Sequence, residues 1–294
     1  MQRKSISTLS QYLNVIEVLR KYYPTRPLYE NPTTLHFIYR GICDQTYGLL
    51  PGVFRKHTGT LRGEDIINKA YAWAEERDIL TAFIHEASSV LSIPPDNIVR
   101  WAEYAQHYGV PTRFLDWTSN PLTALYFSCR DKTNCDGTVW LLHAVNYELF
   151  LGEQLHLPEM TFGEVFADIL NQKSDLAFPI VYKPFYVDAR MSAQNSYLMI
   201  WGTKEDALEH LFKDKCYYLK YPQNNTPRVY CGEQQRAILF NFHIPATRKQ
   251  HLLHELDMVG INEKTLFPGL DGIGRYVERT YKFDFQEAHD LLTQ

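Results

Sequence analysis

The stretch Ala105-Gln106-His107-Tyr108-Gly109-Val110-Pro111-Thr112-Arg113-Phe114-Leu115-Asp116-Trp117-Thr118-Ser119-Asn120-Pro121 lies between two helical patterns and carries His, Arg, Asp, Thr, Ser and Asn in one run. A segment that only joins two helices needs no such density of donors, acceptors and charge. A segment that grips a polar ligand does. The two ends of the run have structural causes. Gly109 stops a helix that begins near Asp96 or Asn97, because glycine takes the positive φ found just past a helix end. Asn120-Pro121 starts the next helix, with Asn as N-cap and Pro at the first helical position. His107, Arg113, Asp116, Thr118 and Ser119 are left without such a cause, and they mark one wall of a ligand cleft.

On either side of this run the chain alternates helix and strand patterns. Leu9, Tyr12, Leu13, Ile16 and Leu19 predict a helix over 6–22. Leu35–Tyr39 reads as a strand ending on Arg40-Gly41. The apolar spacing of 64–91 predicts one long helix, broken by Pro94-Pro95. Strands are predicted at Thr138–Leu142, Ser196–Trp201, Cys216–Tyr221 and Arg236–Ile244, the last with clean alternation at Ile238, Phe240, Phe242 and Ile244. A helix over 246–259 ends at Gly260. The expected fold class is α+β: a mixed sheet with a helical N-terminal half packed on it. The boundaries are an N-terminal helical extension over 1–29, a main domain over 30–280 with a less regular insertion near 150–180, and a tail over 281–294.

Bulk properties narrow the function classes. With 45% hydrophobic and 22% charged residues, the 294-residue chain can bury a full core. A net charge of −4 gives no global footprint for nucleic acid, although it leaves a local basic groove open. Five cysteines without CxxC spacing argue against a disulfide framework and a zinc knuckle. No apolar run reaches the roughly 20 residues of a membrane span, and the first residues lack the core of a signal peptide, so the expected location is a reducing cytoplasm, with no membrane partner. No metal site is expected: His251 and His254 with Glu255 are not in zinc-protease order.

Several blocks of the chain resemble the FRG-domain family, a bacterial and phage-associated family named for a Phe-Arg-Gly-type motif. They are Tyr39-Arg40-Gly41 with Leu49-Leu50-Pro51 and Phe54-Arg55, the central run 105–121, Arg190-Met191-Ser192-Ala193-Gln194-Asn195-Ser196, and the stretch from Gly260 through Phe267-Pro268 to Asp271-Gly272. The third block departs at Asn195 and Ser196 from the usual Arg-x-x-Ala-Gln-Gln-Gly. The order of these blocks is similar to the plan of ADP-ribosyltransferases: a strand Arg, then a Ser/Thr motif, then a Glu at the start of a later strand. The resemblance implies an ADP-ribosyltransferase-like fold and NAD as substrate. It also implies a toxin or anti-phage effector with a macromolecular target, protein or nucleic acid, and an antitoxin or regulator.

Carried over by resemblance, Arg40 holds NAD phosphate or ribose while Thr118 and Ser119 order the nicotinamide side. Gln194 stands where such an enzyme carries its Glu, and an amide cannot supply the negative charge an oxocarbenium ion needs. Asp116 is the first candidate for that charge, and it reads equally as an Asx-turn or a partner for Arg113. Glu233 is an outside candidate. His107, on a last helical turn, is an acid or anion binder or a C-terminal capping residue, and Trp117 stacks on a planar ring or packs in the core. The catalytic candidates are therefore Asp116, Ser119, Gln194 and His107, and the cofactor-binding candidates Arg40, Gly41, Arg113, Thr118 and Asn120. Gly41 is expected to admit close backbone approach to the ligand. Two other classes stay open: a non-catalytic module recognising a nucleotide or phosphate, and a hydrolase or nuclease using His107 and Asp116 as an acid–base pair.

Overall fold

Runs of aromatic and β-branched residues supply the strands, and in the computed structural model they pair into one sheet. The structure describes residues 5–22, 37–61, 64–154, 164, 167–169, 171, 173, 176–211 and 238–281. In chain order the elements are α1 (Leu9–Tyr22), β1 (Phe37–Ile42), β2 (His57–Leu61), β3 (Glu64–Lys69), α2 (Trp73–Ala87), α3 (Ile98–His107), β4 (Phe114–Thr118), α4 (Pro121–Arg130) and β5 (Gly137–His143). Then follow α5 (Ala144–Gln154), β6 (Ile180–Tyr182), α6 (Ala189–Ala193), β7 (Ser196–Ile200), α7 (Leu208–Leu211), β8 (Leu239–Ile244), α8 (Lys249–Met258), α9 (Glu263–Leu266) and α10 (Leu270–Tyr281).

The sheet runs β6-β7-β4-β1-β5-β8 and draws on both halves of the chain, so the fold is α+β. Every described ladder in it is antiparallel, and parallel pairing is limited to an isolated bridge between Ser5 and His243. Three local expectations change. Residues 64–69 pair with 57–61 as a hairpin, and only 73–87 are helical there. The β-branched Thr58, Thr60, Ile66 and Ile67 favour strand over the helix that the apolar spacing suggested. Residues 114–118, inside the polar run, form an interior strand of the sheet. Strand β1 passes through Arg40-Gly41 to Ile42 instead of ending there. The predicted strand at 216–221, the start of the one at 236–244, Glu233 and the tail beyond Tyr281 lie outside the described residues.

One face of the sheet is covered by two separate groups of helices. Tyr39, Val139, Leu141, Phe240 and Phe242 pack against α1, α4 and α8. Phe114, Leu198 and Ile200 pack against α2 and α3. On the opposite face, Leu115, Trp117, Trp140 and Met199 meet Val53, Phe54 and α5. Helix α4 lies with its backbone almost on the sheet. A Cβ at Gly41 would stand 1.8 Å from the Ala124 carbonyl oxygen, and one at Gly137 would stand 2.4 Å from that of Ser128. Gly41 therefore admits a helix, where the sequence suggested that it admits a ligand. The fully buried Lys249 ties α8 to this corner, its Nζ donating to the carbonyls of Cys43 (2.6 Å), Lys132 (2.9 Å) and Asp131 (3.2 Å). Among the described residues no helix is long and apolar enough to cross a membrane, and Cys43, Cys129 and Cys135 are free thiols.

Arg113 is a structural residue. Its Nε donates to Glu76 Oε1 at 2.8 Å, its Nη2 to Glu76 Oε2, and its Nη1 to the carbonyls of Trp201 and Gly202. Both partners are buried, so the pair joins α2 to the ends of β4 and β7. Removing one partner strands the other charge in a medium that cannot solvate it. Glu76→Ala is expected to cost about 3–5 kcal/mol, read as a lowered midpoint in equilibrium urea unfolding. A loss below about 1 kcal/mol, the worth of a surface pair, would contradict this role.

Candidate functional site

The polar run makes the seam between the two helix groups. Alternate residues of β4 share the helix-covered face: Phe114 sits under α3, Asp116 is open, and Thr118 is buried next to the start of α4. The register sets Tyr39 and Ser196 opposite Thr118 and Leu198 opposite Asp116, so all of these side chains point to one side. Above them is a cavity of about 220 Å³, floored by β1, β4 and β7. Glu103, Gln106 and His107 of α3 form one wall, and Thr123 and Phe127 of α4 form another. Arg190, Met191 and Gln194 close it from α6.

Arg40, Gly41, His107, Asp116, Trp117, Thr118 and Gln194 line this cavity. Arg113, Ser119 and Asn120 do not. Asn120 caps α4, its Oδ1 accepting from Leu122 N at 2.9 Å, and Ser119 N donates to the Asn195 carbonyl at 3.1 Å. Arg40 Nη1 donates to the Asp116 carbonyl and stands 3.9 Å from Asp116 Oδ2. Burial lowers the Arg40 pKa to about 10, with Asp116 opposing and Arg55 adding to the shift. The guanidinium thus stays charged at neutral pH. The Asp116 carboxylate is half exposed and accepts from Gln106 Nε2 at 2.6 Å. Burial lowers the pKa of Arg40, Arg55 and Arg190, and Asp116 acts against that lowering at all three. Two guanidinium groups of the lining, Arg40 and Arg190, thus have the carboxylates of Asp116 and Asp188 as their near counter-charges.

His107 does not pair with Asp116. Its Nε2 lies 2.6 Å from Asp188 Oδ2. The Thr118 hydroxyl is likewise committed, donating to the Gln194 carbonyl at 2.6 Å and accepting from Asn120 N at 3.0 Å. That clamp needs the turn at 194–195, where Asn195 has φ +48°. Asn is one of the few residues that enter the left-handed region readily, which accounts for its place in the third block. Gln194 Nε2 donates to the Leu266 carbonyl at 3.0 Å, which leaves Oε1 as its remaining acceptor.

Glu103 was not among the residues singled out from the sequence. It is 2% exposed, lines the cavity, and accepts from Tyr182 Oη at 3.0 Å through Oε1, while Oε2 is buried without a partner. Burial raises its pKa, against the lowering effects of Tyr182 and Arg100. A signal was present: Val99, Ala102 and Glu103 share one buried helical face, so a carboxylate occupies a core position. Thr123 Oγ1, Arg40 Nε and Arg190 Nε are also buried and unpartnered, and their residues line the same cavity, whereas the unpartnered Trp117 Nε1 belongs to a ring packed on the opposite face of the sheet. Buried polar atoms are normally satisfied, so this gathering makes the cavity the candidate site of the fold.

The comparisons with known proteins agree with the first of the resemblances. The chain carries an FRG domain: the family model of that name matches residues 35–137, from the start of β1 through α4 to the start of β5. No curated protein and no solved structure matches the chain. The matched segment supplies the floor strands β1 and β4 and both helical walls; β7 and α6 lie beyond it.

The raised pKa of Glu103 has a sign that can be checked. A carboxyl that is harder to ionise when folded favours the native state while protonated. That contribution is full below the ordinary value of 4.5 and is lost as pH climbs through the raised folded value. Glu103→Gln should therefore be more stable than wild type at pH 7 and equal to it near pH 4. Urea midpoints at several pH values test this, and parallel profiles for the two proteins would refute it.

Proposed function

We propose that the protein is an NAD-dependent, ADP-ribosyltransferase-like enzyme that modifies a macromolecular target, of the toxin or anti-phage effector kind. The observation that supports this most is the adjacency of β7, β4 and β1. It gathers the strand Arg (Arg40), the Thr118 position and the start of β7 after Gln194 around one cavity. Arg40 and Arg190 draw the anionic part of the dinucleotide. Gln194 Oε1 accepts from a ribose hydroxyl. Asp116 supplies the negative charge that stabilises the oxocarbenium-like transition state as the bond from ribose C1′ to nicotinamide nitrogen breaks. Nicotinamide leaves with the bonding pair, the acceptor nucleophile bonds to C1′, and the acceptor gives up a proton. Glu103, whose pKa burial raises, offers Oε2 to a ligand hydroxyl or amide.

Incubating the purified chain with labelled NAD and cell extract should transfer label to a macromolecule. Arg40→Ala should abolish NAD binding, and Asp116→Asn should lower the transfer rate about 10²- to 10³-fold, the usual cost of one transition-state electrostatic contact. Neither binding nor transfer in the wild type would overturn the reading. NAD hydrolysis without transfer would place water in the acceptor role.

One observation favours a second reading. The position at the start of β7 holds Gln194 and no carboxylate, which suits a module that binds a nucleotide without turning it over. Tight binding with no turnover for wild type would select it. The acid–base pair of His107 and Asp116 loses its motivation, because the carboxylate on His107 is Asp188.

A further inference from the structure

One block of the sequence, Phe267-Pro268 in the C-terminal stretch, has no role in the account so far, and Arg190 at the head of the third block has been described only where it lines the cavity. The structure brings them together. The guanidinium carbon of Arg190 lies 4.9 Å from the centroid of the Phe267 ring, that of Arg275 lies 5.0 Å from it, and that of Arg130 lies 5.4 Å from it. Arg130 also lies 5.3 Å from the Phe127 ring. Aromatic faces hold guanidinium groups while leaving their N–H edges free for other partners. The three charges are thus kept within about a Debye length of one another, roughly 10 Å at 0.1 M salt.

Counter-charge at this cluster is uneven, being near Arg130 and Arg190 and lacking at Arg275 among the described residues. Arg130 has its own carboxylate, Asp131, at 2.6 Å. Arg275 is exposed on α10 and has no carboxylate partner among the described residues. Arg190 Nε is buried without a partner, and its pKa is lowered by burial and by Arg130 and Arg275, against Asp116 and Asp188. Clustering like charges costs folding stability that an anion would restore. The cluster is also continuous with the cavity, because Arg190 and Phe127 line it. A space of about 220 Å³ holds part of a dinucleotide, not all of it.

We propose that Arg130, Arg190 and Arg275, gathered on Phe267 beside the cavity, form a subsite for the diphosphate of the nucleotide whose ribose end enters the cavity. This rests on the NAD reading above. A diphosphate matches the chemistry: its oxygens can take paired N–H bonds from more than one guanidinium at once. A nucleic-acid backbone fits less well, since the basic surface here is one local cluster on a chain of net charge −4.

Calorimetric titration of the full chain with inorganic pyrophosphate, ADP-ribose and a short single-stranded oligonucleotide tests this. Arg275→Gln and Arg130→Gln serve as variants, because neither residue is in the core. Both small ligands should bind wild type, and each variant should weaken both by about tenfold, the worth of one charge-assisted contact. Pyrophosphate should also raise the wild-type Tm more than sodium chloride at equal ionic strength. Unchanged ADP-ribose affinity in both variants would overturn the subsite and leave the NAD reading standing. Arginine-dependent pyrophosphate binding without ADP-ribose binding would uphold the subsite and overturn the NAD reading. Arginine-dependent oligonucleotide binding with no pyrophosphate binding would assign the surface to nucleic acid and overturn the proposal.

Discussion

Helix α4 approaches β1 and the start of β5 so closely that its backbone fills the space where side chains at positions 41 and 137 would stand. The geometry of the site follows from that contact. With α4 pressed onto β1, Thr123 and Phe127 are held at one side of Asp116, while α3 packs over Phe114 at the other. The height of α4 above the sheet is set by backbone atoms, which cannot change rotamer. Asn120 and Pro121 start α4 at the edge of β4, and the Thr118 hydroxyl links that start to the turn before β7. Floor and walls are therefore joined by short-range bonds along a single stretch of chain.

The caps were legible in the sequence, and the strand between them was not. Gly109 with φ +81° and the Asn120 cap stand where composition placed them, because caps are local chemistry. Phe114–Thr118 hid inside a polar run because its burial alternates: Leu115 and Trp117 face one core, while Asp116 faces a cavity. An open cavity over a strand removes one half of the apolar signal. The hairpin at 57–69 was misread for the opposite reason, since isoleucines at 66 and 67 satisfy a helical stripe as well as a strand. Among site residues, Arg40, Asp116, His107, Thr118 and Gln194 were found from local motifs. Arg113 carried the same charge and density of neighbours, but its partner Glu76 lies on another helix, and only the tertiary structure shows that pair. Glu103 was passed over because helical periodicity reports what is buried, and a carboxyl among apolar residues reads as a surface position.

The site also shows where stability and function pull apart. Several residues at one cavity keep a buried polar atom unpaired, and burial raises the pKa of Glu103. Each is a cost that the wider fold covers through large cores on both faces of the sheet. A purely structural seam between helices would close such gaps with leucine or valine.

The placement of charge around the cavity gives it a direction. A buried carboxyl, hydrogen-bonded to Tyr182 at the β6 edge of the sheet, stands on the α3 wall, while the guanidinium groups collect toward α4 and Phe267. Such a cavity distinguishes the two ends of a molecule as well as its size. A symmetric ligand with the same group at both ends would satisfy only half of it, and a head-to-tail ligand would bind in one orientation. Orientation is then selected by electrostatics built into the fold.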